Sequence, residues 1–201
     1  TLTMGSGTWT ITGTGTIWNM TTGPGSLTLN PGTSIIKVTD TSASSKTLIM
    51  GGTSSNRKTY YDFSVPSAGS GTIILNGSNT FNTFSVVGAN AIQFTSGITT
   101  TVTSFNVSGT SGNLVTINTS TPGSIATLSV ASGLVQSSFV SLQDSAATGG
   151  AYFLAYRSTD AGNNTGWNFT QGRVAASGRV PVSGRVPISG RVAASNRYTL
   201  L

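Results

Sequence analysis

The amino-acid sequence predicts an all-β protein, and more narrowly a right-handed parallel β-helix (a solenoid) whose equivalent positions recur at an interval of 21. Three observations support this fold class. Apolar residues recur in pairs that skip one position, as on one face of a β-strand. Turn-forming Gly, Pro and Asn separate the pairs, and large apolar residues return at a fixed interval further along the chain. The right hand follows from the twist preference of parallel crossover connections.

The segment 1–40 contains four apolar pairs at a spacing of nine. Both members of a pair face one side of a strand because a single residue separates them. Turn formers such as Gly23-Pro24-Gly25 and Asn30-Pro31-Gly32 lie between the pairs. The segment therefore predicts strands alternating with turns, without helical periodicity. The pairs are Trp9 with Ile11, Trp18 with Met20, Leu27 with Leu29, and Ile36 with Val38.

Further along the chain the interval becomes 21, since Phe63, Phe84 and Phe105 each begin a Phe-x-Val unit. In a β-helix, equivalent residues of successive coils stack at the ~4.8 Å spacing of neighbouring strands. A β-sandwich or jelly roll is the alternative, but neither fold requires a register held over several units. Other positions assigned to this register are Phe81 with Val102, Ile73 with Phe94 and Val115, Leu27 with Leu48, and Leu29 with Met50.

The register ends near Asp144, which divides the chain into a parallel β-helix at 1–143, a capping segment at 144–169 and an extended tail at 170–201. The open end of a solenoid exposes apolar core and unpaired backbone, so a cap is expected there. Trp9, Trp18 and the phenylalanines that recur at the interval of 21 are predicted to face the core. The aromatic residues that favour a cap are Tyr152, Phe153, Tyr156, Trp167 and Phe169.

Four stretches between Phe105 and Phe169 resemble the end of a repetitive β-helical segment found in virion structural and tail-fibre-like proteins of tailed bacteriophages and prophages. The resemblance covers about a third of the chain. It implies a virion or surface appendage, and it supplies no catalytic residues. The stretches are SGTSGNLVTI at 108–117, ATLS at 126–129, DSAATGGA at 144–151 and DAGNNTGW at 160–167.

From Gly172 the sequence consists of hexads, GRVAAS, GRVPVS, GRVPIS and GRVAAS, followed by NRYTLL. Because six is even, strand alternation places every Arg on one face and the Val, Ile and Tyr residues on the other. Without the five arginines of this segment the net charge of +6 falls to +1. An isolated strand leaves its backbone groups without partners, so we expect the tail to be ordered through other chains.

The tail is therefore predicted to be an assembly interface, with a homotrimer as the first expectation and other virion subunits as further partners. Hexad coils within one chain, strand addition to another subunit and disorder stay open as alternatives. Arginines recurring every ~20 Å do not match the phosphate spacing of a nucleic acid, so no nucleic-acid partner is expected, whereas an anionic cell-surface glycan stays open. The predicted interface residues are Arg173, Val174, Arg179, Val180, Val182, Arg185, Val186, Ile188, Arg191, Val192, Arg197 and Tyr198.

The residue inventory argues against an enzyme. The chain contains no His, no Cys and no Glu, and only four Asp. These absences exclude Ser-His-Asp and Cys-His nucleophiles, thiolate and imidazole metal sites, and disulfides. We therefore expect no catalytic residue, no cofactor and no metal. No apolar run approaches the roughly 18 residues of a membrane span.

Two carboxylate sites stay open as alternatives. The run Asp160-Ala-Gly-Asn-Asn could ligate calcium through side-chain and carbonyl oxygens, although such a run is more often an Asx turn with Gly and Asn in left-handed conformations. Asp144 and Asp160 could also pair as the two carboxylates of a glycosidase.

These features together predict a non-enzymatic structural subunit of an extracellular particle, first of all a phage virion fibre, spike or decoration protein with a role in host attachment. The alternatives are a glycan-cleaving or glycan-binding β-helix spike, and a bacterial surface adhesin or filament subunit. Because the chain starts at Thr1 and its first Met is Met4, we expect a processed product or a segment of a longer protein.

Overall fold

The computed structural model describes residues 1–20, 27–52, 56–66, 69–87 and 90–171. Within these ranges the protein is all-β, with twenty strands and no helix. Every strand-to-strand pairing is parallel. The predicted hexad tail from 172 to 201 lies outside the described residues. The described part of the chain contains no helical segment of the length and hydrophobicity that a membrane crossing requires.

The strands form two long sheets and two short ones. The first long sheet contains β2 (Thr8–Ile11), β5 (Ile35–Val38), β8 (Asp62–Val65), β10 (Asn79–Val87), β12 (Thr99–Ser108), β14 (Ala126–Val130) and β17 (Ser145–Thr148), with β7 (Lys58–Thr59) beside β10. The second contains β3 (Gly15–Asn19), β6 (Lys46–Ile49), β9 (Thr72–Asn76), β11 (Ala91–Phe94), β13 (Val115–Thr119), β16 (Val140–Leu142) and β19 (Thr159–Asp160). The third sheet contains β15 (Leu134–Ser138), β18 (Tyr152–Tyr156) and β20 (Trp167–Thr170), and the fourth contains β1 (Leu2–Thr3) and β4 (Leu29–Asn30).

The chain visits the two long sheets in turn, and each new strand lies beside one from the previous visit. Parallel strands cannot be joined by a tight hairpin, so the chain must cross to another sheet before it returns. Inward-facing residues of successive visits then stack on one another and form a narrow continuous core. This arrangement of parallel strands in sheets is compatible with a β-helix or solenoid.

The predicted interval of 21 is confirmed where the phenylalanines define it. Phe63 pairs with Phe84, and Phe84 pairs with Phe105, in adjacent strands of the first long sheet. Their rings stack at centroid distances of 5.0 and 5.5 Å. Phe81 likewise pairs with Val102, as predicted. Each buried aromatic ring removes a large apolar surface from water, and offset stacking adds about 0.5–1.5 kcal/mol per pair.

The opening spacing of nine separates successive strands, and three such steps complete one circuit. Trp9 therefore pairs with Ile36, three steps later, and Ile11 pairs with Val38. Trp9 was predicted to face the core, and the expected burial is wrong. The residue stands in the inward column of β2, an edge strand within the described residues, and 39% of it is exposed because too little of the chain packs over it.

Two sets of residues that were predicted to pair in successive strands at the interval of 21 do not do so, because the connections between strands differ in length. Leu29 pairs with Leu2, and Leu48 lies between Trp18 and Leu75, so the interval of 21 from Leu27 and Leu29 to Leu48 and Met50 is not a circuit. The second set of assigned positions fails in the same way: Ile73 pairs with Ile92, Phe94 with Leu75 and Thr119, and Val115 with Val140.

Candidate functional site

Asp144 is the most deeply buried carboxylate of the described residues, with 2% of its surface exposed. Its Oδ2 accepts a hydrogen bond from the Gly123 amide at 3.0 Å, and its Oδ1 accepts one from Asn163 Nδ2 at 2.6 Å. The backbone of Asp144 is left-handed, with φ 57°, a conformation that Asp tolerates better than most residues. Asp144 therefore fixes the chain at the start of the region 144–169.

Asp160 forms the Asx turn that the sequence predicts. Its Oδ1 accepts the Gly162 amide at 2.9 Å and Asn164 Nδ2 at 2.6 Å. Gly162 and Asn163 are both left-handed, with φ of 105° and 57°. The carboxylate thus shapes a tight turn through local hydrogen bonds. This confirms the turn interpretation of the run Asp160-Ala-Gly-Asn-Asn.

The turn bonds back to the strands before it, and we call residues 160–166 the closing turn. Asn164 Oδ1 accepts the Ser145 amide at 3.0 Å, while Asn164 Nδ2 donates to the Leu142 carbonyl at 2.7 Å. The Thr165 amide donates to the Ser145 carbonyl at 3.0 Å, and the Thr165 carbonyl accepts the Ala147 amide at 2.8 Å. Backbone groups of the edge strand β17 thereby gain partners, and the Leu142 carbonyl of β16, which already accepts the Ala161 amide, gains a second donor.

Asp144 and Asp160, the two carboxylates considered for glycoside cleavage, accept hydrogen bonds from different donors. Asp144 contacts Asn163, whereas Asp160 contacts Asn164 and Gly162. Both Asp144 oxygens accept hydrogen bonds inside the fold, so neither is presented to a leaving group. No group of three His, Cys, Asp or Glu side chains that could hold a metal ion occurs in the described ranges.

An ion pair that was not predicted from the sequence lies between Lys46 and Asp40. Lys46 is 1% exposed, and its Nζ lies 2.9 Å from Asp40 Oδ1 while donating to the Ser42 carbonyl at 2.6 Å. Hydrogen bonds from Ser42 and then the Lys46 ammonium lower the pKa of Asp40 from 3.8 to about 2. A signal was present in the sequence: Lys46 precedes Leu48 and Met50 at alternating, inward positions.

An open groove of about 360 Å³ lies on the outer face of the first long sheet. Lys37 and Asp62 are the charged residues of its lining. Asp62 Oδ1 accepts hydrogen bonds from the Thr83 amide and from Asn82 Nδ2, both at 3.0 Å. With one carboxylate, the groove lacks the acid and base pair that glycoside hydrolysis uses, but its ammonium and hydroxyl groups suit a polar ligand. The lining residues are Thr8, Ile35, Lys37, Asp62, Phe63, Ser64, Pro66, Thr83 and Ser85.

The third sheet exposes apolar side chains on its outer face, which we call the third-sheet patch: Leu134, Tyr152, Leu154 and Tyr156. Leu134 and Tyr152 are register partners in adjacent strands and are 62% and 55% exposed. Leu154 and Tyr156 follow Tyr152 at alternate positions and are half-buried. The Arg157 guanidinium lies 5.3 Å from the Tyr156 ring centroid and borders the patch at one end.

The predicted assembly residues between Arg173 and Tyr198 lie outside the described residues, so that interface stays a prediction. Comparison with known proteins gives no further information: no protein-family model, curated protein or solved structure matches the chain.

Proposed function

We propose that the protein is a non-enzymatic structural subunit of an extracellular particle, first of all a fibre, spike or decoration protein of a phage virion. The observation that supports this best is the use made of the acidic groups. Asp40, Asp62, Asp144 and Asp160 all accept hydrogen bonds that hold the backbone or neighbouring side chains in place. A chain whose carboxylates stabilise turns and strands in this way suits a structural role.

We propose further that the parallel sheets close into a right-handed β-helix. Parallel crossover connections are right-handed in nearly all known cases because a right-twisted strand packs back onto its sheet only that way. The alternation of the chain between two long sheets, with a third sheet at the C-terminal end, is the arrangement that such a helix needs. An elongated shape of this kind suits a fibre or spike.

Assembly through the hexad tail belongs to the same proposal. Ordering roughly 30 residues costs about 1–2 kcal/mol each in backbone entropy, whereas burying a Val or Ile returns ~1.5–3 kcal/mol. The tail alone cannot offset that cost, but several tails that share apolar faces and ladder hydrogen bonds can. Three strands can enclose one apolar axis, so a homotrimer is the preferred stoichiometry.

The test is the mass of the full chain in solution and its presence in particles. Sedimentation velocity should give a trimer, and replacing Val180, Val182, Val186 and Ile188 together by Ser should give a monomer. The matched control replaces Ala175, Ser177, Ser183 and Ser189, on the arginine face, by Thr and should stay trimeric. Mass spectrometry of particles purified from the source should detect the chain, and its absence from every particle fraction would contradict the proposal.

A second candidate function, glycan binding on a spike, is supported by the groove at Lys37 and Asp62. Its ammonium, carboxylate and hydroxyl groups could bind the hydroxyl and acidic groups of a surface polysaccharide. Isothermal titration with a purified anionic polysaccharide of the host surface is the measurement. Binding that weakens in Lys37→Ala and persists in Lys58→Ala would favour this function, and saccharide release would favour a cleaving spike.

A further inference from the structure

The third-sheet patch is the most exposed apolar surface that two adjacent strands share in the described residues. Inward neighbours in the same strands, Val135, Phe153 and Ala155, are almost completely buried. Leu134 and Tyr152 point the other way and stand side by side. Single exposed apolar residues are common on protein surfaces, whereas a contiguous group indicates a contact surface. The question is what covers it.

We propose that one hexad of the tail from a neighbouring copy of this chain docks its apolar face on the third-sheet patch, while the remaining hexads share the apolar axis of the assembly. The five residues of β18 span about the length of one extended hexad. This proposal rests on the proposed function, because it names the surface that receives the assembly tail. Its new content is an interaction site, Leu134 and Tyr152 with Leu154 and Tyr156, and the class of partner that the site accepts.

The chemistry of the tail matches the patch. Alternate residues of the tail are Val, Ala, Gly and Ile over four hexads, so an extended strand would present a continuous apolar side to Leu134 and Tyr152. Its arginines would then point away from the sheet into water. The in-plane backbone groups of a strand lying flat on the patch stay accessible to water or to a second tail.

The position of Arg157 defines one end of the docking surface. Its guanidinium lies over Tyr156 and 6.0 Å from the centroid of the Phe139 ring. A cation over aromatic faces is held in place by the ring quadrupole. A tail that continued beyond Tyr156 with its arginine face toward the sheet would meet this positive charge. The charge therefore favours the orientation with the apolar side down.

A neighbouring copy is the better source of the tail than the same chain. Tyr156 pairs with Thr170, so β20 ends at the Arg157 side of the sheet, whereas Leu134 and Tyr152 lie at the opposite end of their strands. The same chain would have to reverse its direction within the hexads to reach them, whereas the tail of a neighbouring copy needs no reversal.

The chain contains no Cys, so single introduced cysteines can report the contact. Tyr152→Cys would be co-expressed with a second, distinguishable chain that contains Val174→Cys, Val180→Cys or Val186→Cys. A disulfide needs Cα atoms within about 7 Å, so we expect a mixed disulfide between the two chains for at least one of these pairs. The matched control is Val87→Cys, which has the same exposed fraction of 55% on the first long sheet and should form no mixed disulfide.

Every other pattern of cross-links would overturn the proposal. A disulfide within one chain of the double variant would show that the tail folds back on its own sheet. Disulfides between two copies of Tyr152→Cys would show that the third-sheet patches of two copies contact each other. Equal cross-linking of Val87→Cys and Tyr152→Cys, or no cross-link at all, would show that the tail does not dock here.

A second measurement separates this proposal from the proposed function. In the full chain, Tyr152→Ser should raise the concentration for half-assembly by about tenfold, while Val87→Ser should leave it within a factor of two. If the chain assembles through its tail but Tyr152→Ser has no effect, this inference fails and the assembly role stands. If the patch instead binds a saccharide, Tyr152→Ser would reduce polysaccharide binding and leave assembly intact, which also overturns the proposal.

Discussion

The two ends of the parallel sheets are built differently. At the N-terminal end, β1, β2 and β3 each pair on one side only within the described residues, and Trp9 stays 39% exposed. At the C-terminal end, the closing turn bonds back to β16 and β17, and Trp167 is only 8% exposed. Both tryptophans stand in inward columns of edge strands, since β20 also pairs on one side only within the described residues, so the difference in exposure does not come from strand pairing.

The closing turn is held to the C-terminal strands by polar groups rather than by apolar packing alone. The Asn164 side chain and the Thr165 backbone supply donors and acceptors to backbone groups of β16 and β17. Burying a tryptophan beneath the end is possible only when those backbone groups have partners, because an unpaired buried amide or carbonyl costs as much as a lost hydrogen bond. The segment 1–20 contains no charged side chain, which leaves the N-terminal edge without the charges that discourage strand pairing.

The largest expected effect comes from removing the same side chain at the two ends. Trp167 contacts Phe153 at a ring-centroid distance of 5.1 Å and donates to Ser145 Oγ at 3.1 Å. Trp167→Ala should lower the free energy of unfolding by about 3–5 kcal/mol, as for other buried aromatic residues. Trp9→Ala should cost less than half as much because Trp9 is already in contact with water. Urea denaturation followed by circular dichroism is the measurement, and equal losses would contradict the contrast between the ends.

The next largest effect is expected from replacing Asp144, the buried carboxylate at the start of the region 144–169. Asp144→Ala removes the acceptor of the Gly123 amide and of Asn163 Nδ2, so we expect a loss of about 2–3 kcal/mol in the free energy of unfolding. Asp144→Asn keeps one acceptor oxygen and a residue that tolerates the left-handed backbone. It should therefore retain more than half of that stability. If both variants unfold at the same urea concentration, Asp144 contributes through its charge alone.

A smaller effect is expected when the pH is lowered, and it should be confined to the N-terminal half of the described chain. The pKa of Asp40 falls from 3.8 to about 2 in the folded protein, so its ionised form stabilises the fold fully above about pH 4. This contribution is lost as the pH falls from about 4 to 2. Hydrogen exchange between pH 5 and pH 2 should therefore show earlier opening of β5 and β6 than of β17. Asp40→Asn should remove that pH dependence, and an unchanged profile would contradict the assignment.

The smallest effect on stability is expected at the open edge. Thr10 is an exposed residue of β2, and Thr10→Lys should change the free energy of unfolding by less than about 0.5 kcal/mol. A lysine on an edge strand discourages pairing with another chain. Light scattering at high protein concentration should therefore show less association for Thr10→Lys than for the control Ser129→Lys in β14. Equal scattering would mean that this edge does not associate.

The pairing of strands could be predicted from the sequence where similar side chains recur at one interval. Phe63, Phe84 and Phe105 could be aligned because three similar side chains recur at one interval, and the two circuits that join them have the same total length although their individual connections differ. The pairing could not be predicted where the loops vary: Leu134 pairs with Tyr152 at an interval of 18, and Thr99 pairs with Thr127 at an interval of 28. Loop length changes at little energetic cost, so no pattern of apolar residues fixes it.

In the candidate sites, contacts between residues close in sequence could be predicted, whereas contacts between distant residues could not. The Asx turn at Asp160 was predictable because its hydrogen bonds reach only two and four positions along the chain. The partner of Asp144 was not, because Gly123 lies 21 positions earlier and comes close only after the strands have paired. The exposure of Trp9 was missed for a related reason: an inward position on an edge strand is buried only if other parts of the chain pack over it, as they do at Trp167 of β20.

The parallel pairings have a consequence for the speed and order of folding. Paired residues lie between 14 and 31 positions apart along the chain of 201, from Phe153 with Trp167 to Gly15 with Lys46. Each closure therefore has a similar and moderate entropic cost, because that cost rises only with the logarithm of loop length. Folding can start at the phenylalanine stack and proceed in both directions, one strand at a time, as in other chains whose contacts are confined to nearest neighbours.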